Sequence, residues 1–251
     1  MTSIAQRRAA FRALHQSGCF VLPNPWDGGS AIRLAKLGFQ ALASTSAGAA
    51  WALGRADGEM TVDEVLNHLR FLVEITDLPV NADFEAGFAD TPGGVAANVA
   101  RCIDTGVAGL SIEDRLGSGL YPVDEAVRRV RAAREAIDRS GQDVLLIGRC
   151  EGFWLGQPDL EATIARLGAY AEAGADCLYA PGIKDLAAFA RLVKALDKPV
   201  NANLSGTGLS VADLAGVGVR RVSVGGALAR ATWSAFDDLA GRLRTQGRLP
   251  A

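Results

Sequence analysis

Short apolar runs alternate with longer stretches of helical periodicity from one end of the chain to the other. Eight runs read as strands: residues 19–25, 41–47, 79–84, 109–114, 144–150, 177–181, 199–204 and 221–225. Each is almost continuously apolar over few residues, the pattern of parallel strands covered on both faces by helices. Between and after them, helical spacing covers residues 30–37, 62–76, 95–105, 123–139, 160–173, 186–196, 211–216 and 227–244, behind a leading amphipathic N-terminal helix. Gly38, Gly106, Gly141, Gly174 and Gly218 stand where helices end before strands, the place for a left-handed cap. Eight β-then-α units in 251 residues predict a single α/β domain over residues 1–251, a closed (β/α)8 TIM-type barrel. An open doubly wound sheet is disfavoured, because Leu22–Ser30 reads LPNPWDGGS and lacks the GxGxxG fingerprint.

Composition narrows the chemistry. Hydrophobic residues make up 49% and aromatics only 6%, so the core is expected to be aliphatic. The net charge is −2 and the basic residues are scattered along helices, which excludes a nucleic-acid footprint. Cys19, Cys102, Cys150 and Cys177 show no paired metal spacing and read as buried free thiols, which suits a reducing cytoplasm. No run is long and apolar enough for a membrane span, and the N-terminus does not read as a signal peptide.

Barrel enzymes carry their reacting groups at the C-terminal strand ends. Here those ends supply Asn81, Asp83 and Glu85 (third strand), Glu113 to Arg115 (fourth), Arg149 and Glu151 (fifth), and Asn201 and Asn203 (seventh). Side chains two apart share a face, so Asn81, Asp83 and Glu85 point one way, as do Ser111 and Glu113. Asp57, Asp83, Glu85 and Glu113 would then crowd one mouth, where mutual repulsion calls for a cation. An all-oxygen donor set selects Mg²⁺, with Mn²⁺ as substitute. His15 and His68 fall in helical patterns and read as outer-helix residues, and Asp90 and Asp114 as caps or partners of arginine. Arg149 offers a planar fork for a substrate carboxylate, or a salt bridge to Glu151 or Glu113. The run Ser44–Gly48 offers backbone N–H groups to a carboxylate or enolate oxygen, or else is a packing turn. Together these groups describe a pocket for a small acid with a carbonyl beside its carboxylate, in which a metal steadies an enolate.

The motifs PNPWDGGSA, STSAGAAWALGRADGE, VNADFEAGF, LSIEDR, GRCEGF, VNANLSG and VSVGGALAR, in this order, resemble the isocitrate lyase/phosphoenolpyruvate mutase superfamily over nearly the whole chain. The resemblance implies an α/β barrel that binds Mg²⁺ and makes or breaks C–C or P–C bonds next to a 2-oxo-acid carbonyl. It also implies a homo-oligomer, a tetramer or dimer, with the C-terminal helix exchanged between subunits. Asp83 would contact the metal directly, with Asp57 and Glu113 holding its water ligands and Glu85 compensating for Asn81, which replaces the mutases' acid. Thr45, Ser46 and Ala47 would line the carboxylate and oxyanion site, Arg149 would bind the substrate's carboxylate or carbonyl end, and Asn201 would complete the substrate contacts. The catalytic set is thus Arg149, Thr45, Ser46 and Glu113.

Two departures bear on the reaction. The lyases' KKCGH-type segment, whose Cys donates a proton, is replaced by RLGSGLYP at Arg115–Pro122, and the mutases' longer gating loop with Lys and Asn is missing. The expected activity is a Mg²⁺-dependent carbon–carbon lyase of the branch lacking that Cys, acting on an oxaloacetate- or methylisocitrate-like acid through a pyruvate-type enolate. The alternatives are P–C chemistry on phosphonopyruvate or phosphoenolpyruvate, with Gly206, Gly208, Gly225 and Gly226 as a phosphate cradle, and a barrel that binds a small acid without turnover.

Overall fold

The computed structural model describes residues 2–249. Its strands are β1 (Phe20–Leu22), β2 (Leu42–Ala43), β3 (Val80–Asp83), β4 (Gly109–Glu113), β5 (Arg115–Leu116), β6 (Gly119–Leu120), β7 (Leu145–Arg149), β8 (Cys177–Tyr179), β9 (Val200–Asn203) and β10 (Arg221–Ser223). Eight of them form one parallel sheet in the order β1-β10-β9-β8-β7-β4-β3-β2, while β5 and β6 make a small antiparallel hairpin. The Ala43 N–H donates to the Pro23 carbonyl at 3.1 Å, joining the two ends of that order and closing the barrel. All eight sequence-predicted strands are present, each shorter than its apolar run.

The helices are α1 (Ile4–Leu14), α2 (Gly28–Lys36), α3 (Ser46–Ala52), α4 (Val62–Ile75), α5 (Pro92–Ile103), α6 (Val123–Ser140), α7 (Leu160–Glu172), α8 (Leu186–Ala195), α9 (Val211–Gly216) and α10 (Ala227–Gln246). Helix α4 shows why these segments fold as they do. Thr61 and Glu64 form a reciprocal capping box at its start, and Val65, Leu66, Leu69, Leu72 and Val73 make one buried stripe. Each such side chain contributes roughly 1.5–3 kcal/mol when fully removed from water. The five glycines expected to end helices all adopt positive φ.

Two elements depart from the sequence-based expectation. The second apolar run stops as a strand at Ala43, because the Thr45 hydroxyl accepts the Gly48 N–H and starts α3. Short apolar runs of small residues carry no periodicity that separates strand from helix. The β5–β6 hairpin turns at Gly117, whose φ is +58°.

Helix α1 closes the N-terminal end of the barrel. Arg8 donates to the carbonyls of Ile103 and Val107, and Arg7 to those of Val73 and Thr76. Phe11 inserts among Phe20, Leu22, Ala41, Ala43, Leu145 and Ile147 inside the barrel. Gly109 makes the room: a Cβ there would stand 2.8 Å from Phe11 Cε1. His15 is therefore not an outer-helix residue. It is buried against Phe11 and Phe20, with Nε2 3.4 Å from Arg221 Nη1. At the other end of the chain, α10 buries only Ala229. Trp233, Phe236 (59% exposed), Leu239 and Leu243 face outward. No helix among the described residues is long and apolar enough to cross a membrane.

Candidate active site

The C-terminal strand ends surround a cavity of about 480 Å³. Thr45, Ser46 and Ala47 line it from the turn after β2, and Asp57 from the loop after α3. Asp83 and Glu85 come from β3 and its extension, Glu113 from β4, and Arg149 from β7. The four sequence-predicted carboxylates thus share one space, because the barrel's alternation turns Asp83, Glu113 and Arg149 inward on neighbouring strands.

Arg149 is the electrostatic hub. Its Nη1 lies 3.1 Å from Asp83 Oδ1 and 3.2 Å from Glu113 Oε2, and its Nε 2.5 Å from Glu151 Oε1. The guanidinium also sits over the Tyr179 ring at 5.3 Å. Burial opposes its charge, but Glu151, Glu113 and Asp83 outweigh burial and hold its pKa well above the ordinary value. Arg149 does not hold all of these acids down. Burial, then Glu151, Asp83 and Glu85, push Glu113 up to about 8 against the pull of Arg149. Burial, then Asp83 and Asp57, push Glu85 up to about 7. Glu151, 1% exposed, is raised by burial as well.

The donor set fits a divalent cation. Glu85 holds a left-handed backbone (φ +45°), and its buried Oε1 has no hydrogen-bond partner. Among the described residues, no three acidic, His or Cys side chains close on one point. A shell of one or two carboxylates completed by water is what Mg²⁺ favours. The Ser46 N–H donates to Asp83 Oδ2 at 3.0 Å and fixes that carboxylate.

Other sequence-predicted residues lie elsewhere. Asp114 faces away from the cavity, accepting from the Glu151 N–H, Arg166 and the Tyr170 hydroxyl. Asn201 does not line the cavity. It is buried one level lower, donating to Ser223 Oγ and accepting from Arg221 Nε, while Asn203 takes the cavity position. Trp51 and Trp154 stand at the mouth, whereas Phe88 and Phe153 pack on the core. Cys150 is buried off the cavity, its thiol pushed up to about 12, chiefly by burial. The N–H groups of Val224 and Gly225 are occupied by Asn24 Oδ1, so they do not form an open phosphate cradle. Arg115, Arg221 and Arg230 also line the cavity and were not singled out from sequence as ligand contacts; Arg115 and Arg221 lie on strands and Arg230 in the first turn of α10, where a single basic residue gives no signal of depth.

Comparison with known proteins agrees with this geometry. Residues 11–244 match the phosphoenolpyruvate phosphomutase family. An oxaloacetate decarboxylase of Chromohalobacter salexigens is 34% identical over 208 residues, covering 77% of this chain and 69% of the relative. A solved structure from Burkholderia cenocepacia J2315 superposes with a TM-score of 0.95 at 46% identity, covering 98% of this chain and 90% of that one. An oxaloacetate acetylhydrolase bound to its product oxalate superposes with a TM-score of 0.92 at 27% identity, covering 100% and 91%. The chain belongs to the phosphoenolpyruvate phosphomutase family, within the isocitrate lyase/phosphoenolpyruvate mutase superfamily, a group that includes carbon–carbon lyases.

Proposed function

We propose that the protein is a Mg²⁺-dependent lyase that cleaves a carbon–carbon bond beside the carbonyl of a small 2-oxo or 2-hydroxy acid. The observation that carries this reading is Arg149 flanked by Asp83 and Glu113 in a cavity that Asp57 and Glu85 also line. Asp83 would hold the cation directly, Asp57 and Glu113 would order its water, and that water would give Glu85 Oε1 the partner it lacks. A divalent cation bound there supplies Lewis acidity toward a 2-oxo carboxylate and offsets the charge of an enolate. Arg149 orients the carboxylate or carbonyl end, and the Thr45–Ala47 turn offers N–H donors to an oxyanion. With no Cys or His lining the cavity among the described residues, water or the enolate carbon would handle the proton.

Incubation with Mg²⁺ and oxaloacetate, 2-methylisocitrate, 2,3-dimethylmalate or phosphonopyruvate, followed by NMR, tests the reading. Mg²⁺-dependent cleavage of a carbon acid supports it. Phosphorus NMR showing turnover of phosphonopyruvate alone replaces it with P–C chemistry. Tight oxalate binding with no turnover of any acid leaves a binding protein.

Magnesium affinity should rise with pH. Glu85 near 7 and Glu113 near 8 both hold protons in mildly acidic solution, and a cation must displace them. The Mg²⁺-induced rise in Tm should therefore be larger at about pH 8.5 than at about pH 6, by several degrees for each kcal/mol of linked binding. A pH-independent shift would place the cation away from these two carboxyls.

The outward apolar face of α10 fits self-association, with the helix exchanged between subunits. Replacing Trp233 and Phe236 together by aspartate should lower the mass measured by light scattering to that of one chain. An unchanged mass would remove α10 from the contact.

A further inference from the structure

The lower end of the cavity holds a cation with no counter-charge. Arg221, the first residue of β10, lines the cavity yet is 3% exposed. Its Nε donates to Asn201 Oδ1 at 2.8 Å, and its Nη1 lies 3.4 Å from both Asn81 Oδ1 and His15 Nε2. These partners are two amides and an imidazole that stays neutral, its pKa held down to about 3 by burial and by Arg221 itself. Among the described residues no carboxylate pairs with this guanidinium, and its Nη2 has no protein acceptor. Arginine keeps its charge at any working pH, and buried charges are ordinarily paired.

The space leading down to it is equally unusual. Barrel interiors are filled mostly by branched aliphatic side chains, but here Ala43, Asn81, Ser111 and Ser223 line the cavity. Such short or polar side chains leave a channel open. Along the sheet, Arg149 aligns with Tyr179, Tyr179 with Asn201, and Asn201 with Arg221. Barrel strands tilt by about 35–45°, so this row descends from Arg149 at the mouth to Arg221 beside the α1 plug. The Ser223 hydroxyl accepts from Asn201 Nδ2 and lies beside the Tyr179 hydroxyl, so a polar wall continues the row.

We propose that Arg221, with Ser223 and Asn81, forms an inner subsite for a carboxylate, so that the preferred substrate is a diacid whose second carboxylate lies remote from its 2-oxo end. The proposal rests on the reading that Arg149 and the acidic mouth hold the 2-oxo end. One guanidinium with only neutral neighbours matches the single charge of a carboxylate, and Nη2 is the donor it has left to offer.

The test compares 2-oxo acids of equal length with and without a terminal carboxylate, in the presence of Mg²⁺: 2-oxoglutarate against 2-oxopentanoate, and 2-oxoadipate against 2-oxohexanoate. Oxalate serves as a probe of the mouth alone. Calorimetric titration of the wild type should show at least one diacid bound about tenfold or more tighter than its monoacid partner. Arg221→Gln should erase that preference and leave oxalate affinity within about twofold. Asn81→Asp keeps the arginine and places a carboxylate 3.4 Å from Nη1, so it should suppress the preference in the same way even if Arg221→Gln does not fold. A wild type without preference, or a preference that survives in Asn81→Asp or in folded Arg221→Gln, overturns the subsite. Failure of the wild type to bind oxalate rejects the reading of the mouth instead, and the diacid comparison still decides the subsite.

Discussion

Asp83→Ala should abolish Mg²⁺ binding and turnover together, with the rate falling by at least about a thousandfold. That exceeds the 10–100-fold typical of losing a group that only orients metal ligands, and Asp57→Ala should fall in this smaller class. The contrast follows from position. Asp83 lies at the end of β3, fixed by the Ser46 N–H and by Arg149, whereas Asp57 sits on an exposed loop. The check is calorimetric titration of Mg²⁺ beside the rate for the same variants. Normal Mg²⁺ affinity in Asp83→Ala would sink the assignment of the cation to this mouth.

The second large effect is expected at Arg149, and it should appear in stability as well as in rate. Arg149→Met removes the cation that, among the described residues, alone pairs with Glu151, and leaves that buried carboxylate unpaired beside Glu113. Breaking such a pair from one side typically costs about 3–5 kcal/mol. Loss of the anchor should also lower the rate on the order of a hundredfold or more. Arg149→Lys keeps the charge but not the fork, so it should recover much of the stability and little of the activity. Thermal melts beside kinetics separate the two contributions. Full activity in the lysine variant would show that charge alone, not bidentate geometry, is what the site needs.

The barrel was legible because eight apolar runs recur between helical spacings, and the first of them lacks the glycine fingerprint that would have favoured an open doubly wound sheet. Asp83 and Glu113 were legible for a related reason: alternation fixes which strand-end side chains turn inward. Depth was not. Asn201 and Asn203 share a face two positions apart on one strand, and where the cavity floor falls between them is set by side chains packed across the barrel, which spacing along one strand does not reveal. The destination of α1 was hidden too. Arg8, Phe11 and His15 form an ordinary helical stripe, and only the missing Cβ of Gly109, far along the chain, shows that Phe11 enters the barrel. Helix α3 was hidden because alanine and glycine fill it, and neither residue marks a face.

With Phe11 and its neighbours stopping the lower end, the cavity is a well with one opening. Traffic through it follows a last-in, first-out order. When a bond breaks inside, the fragment nearer the rim must depart before the deeper one can move. Ordered release, with characteristic product-inhibition patterns for the two fragments, is thus imposed by the amino-terminal helix, at the opposite end of the barrel from the strand-end carboxylates.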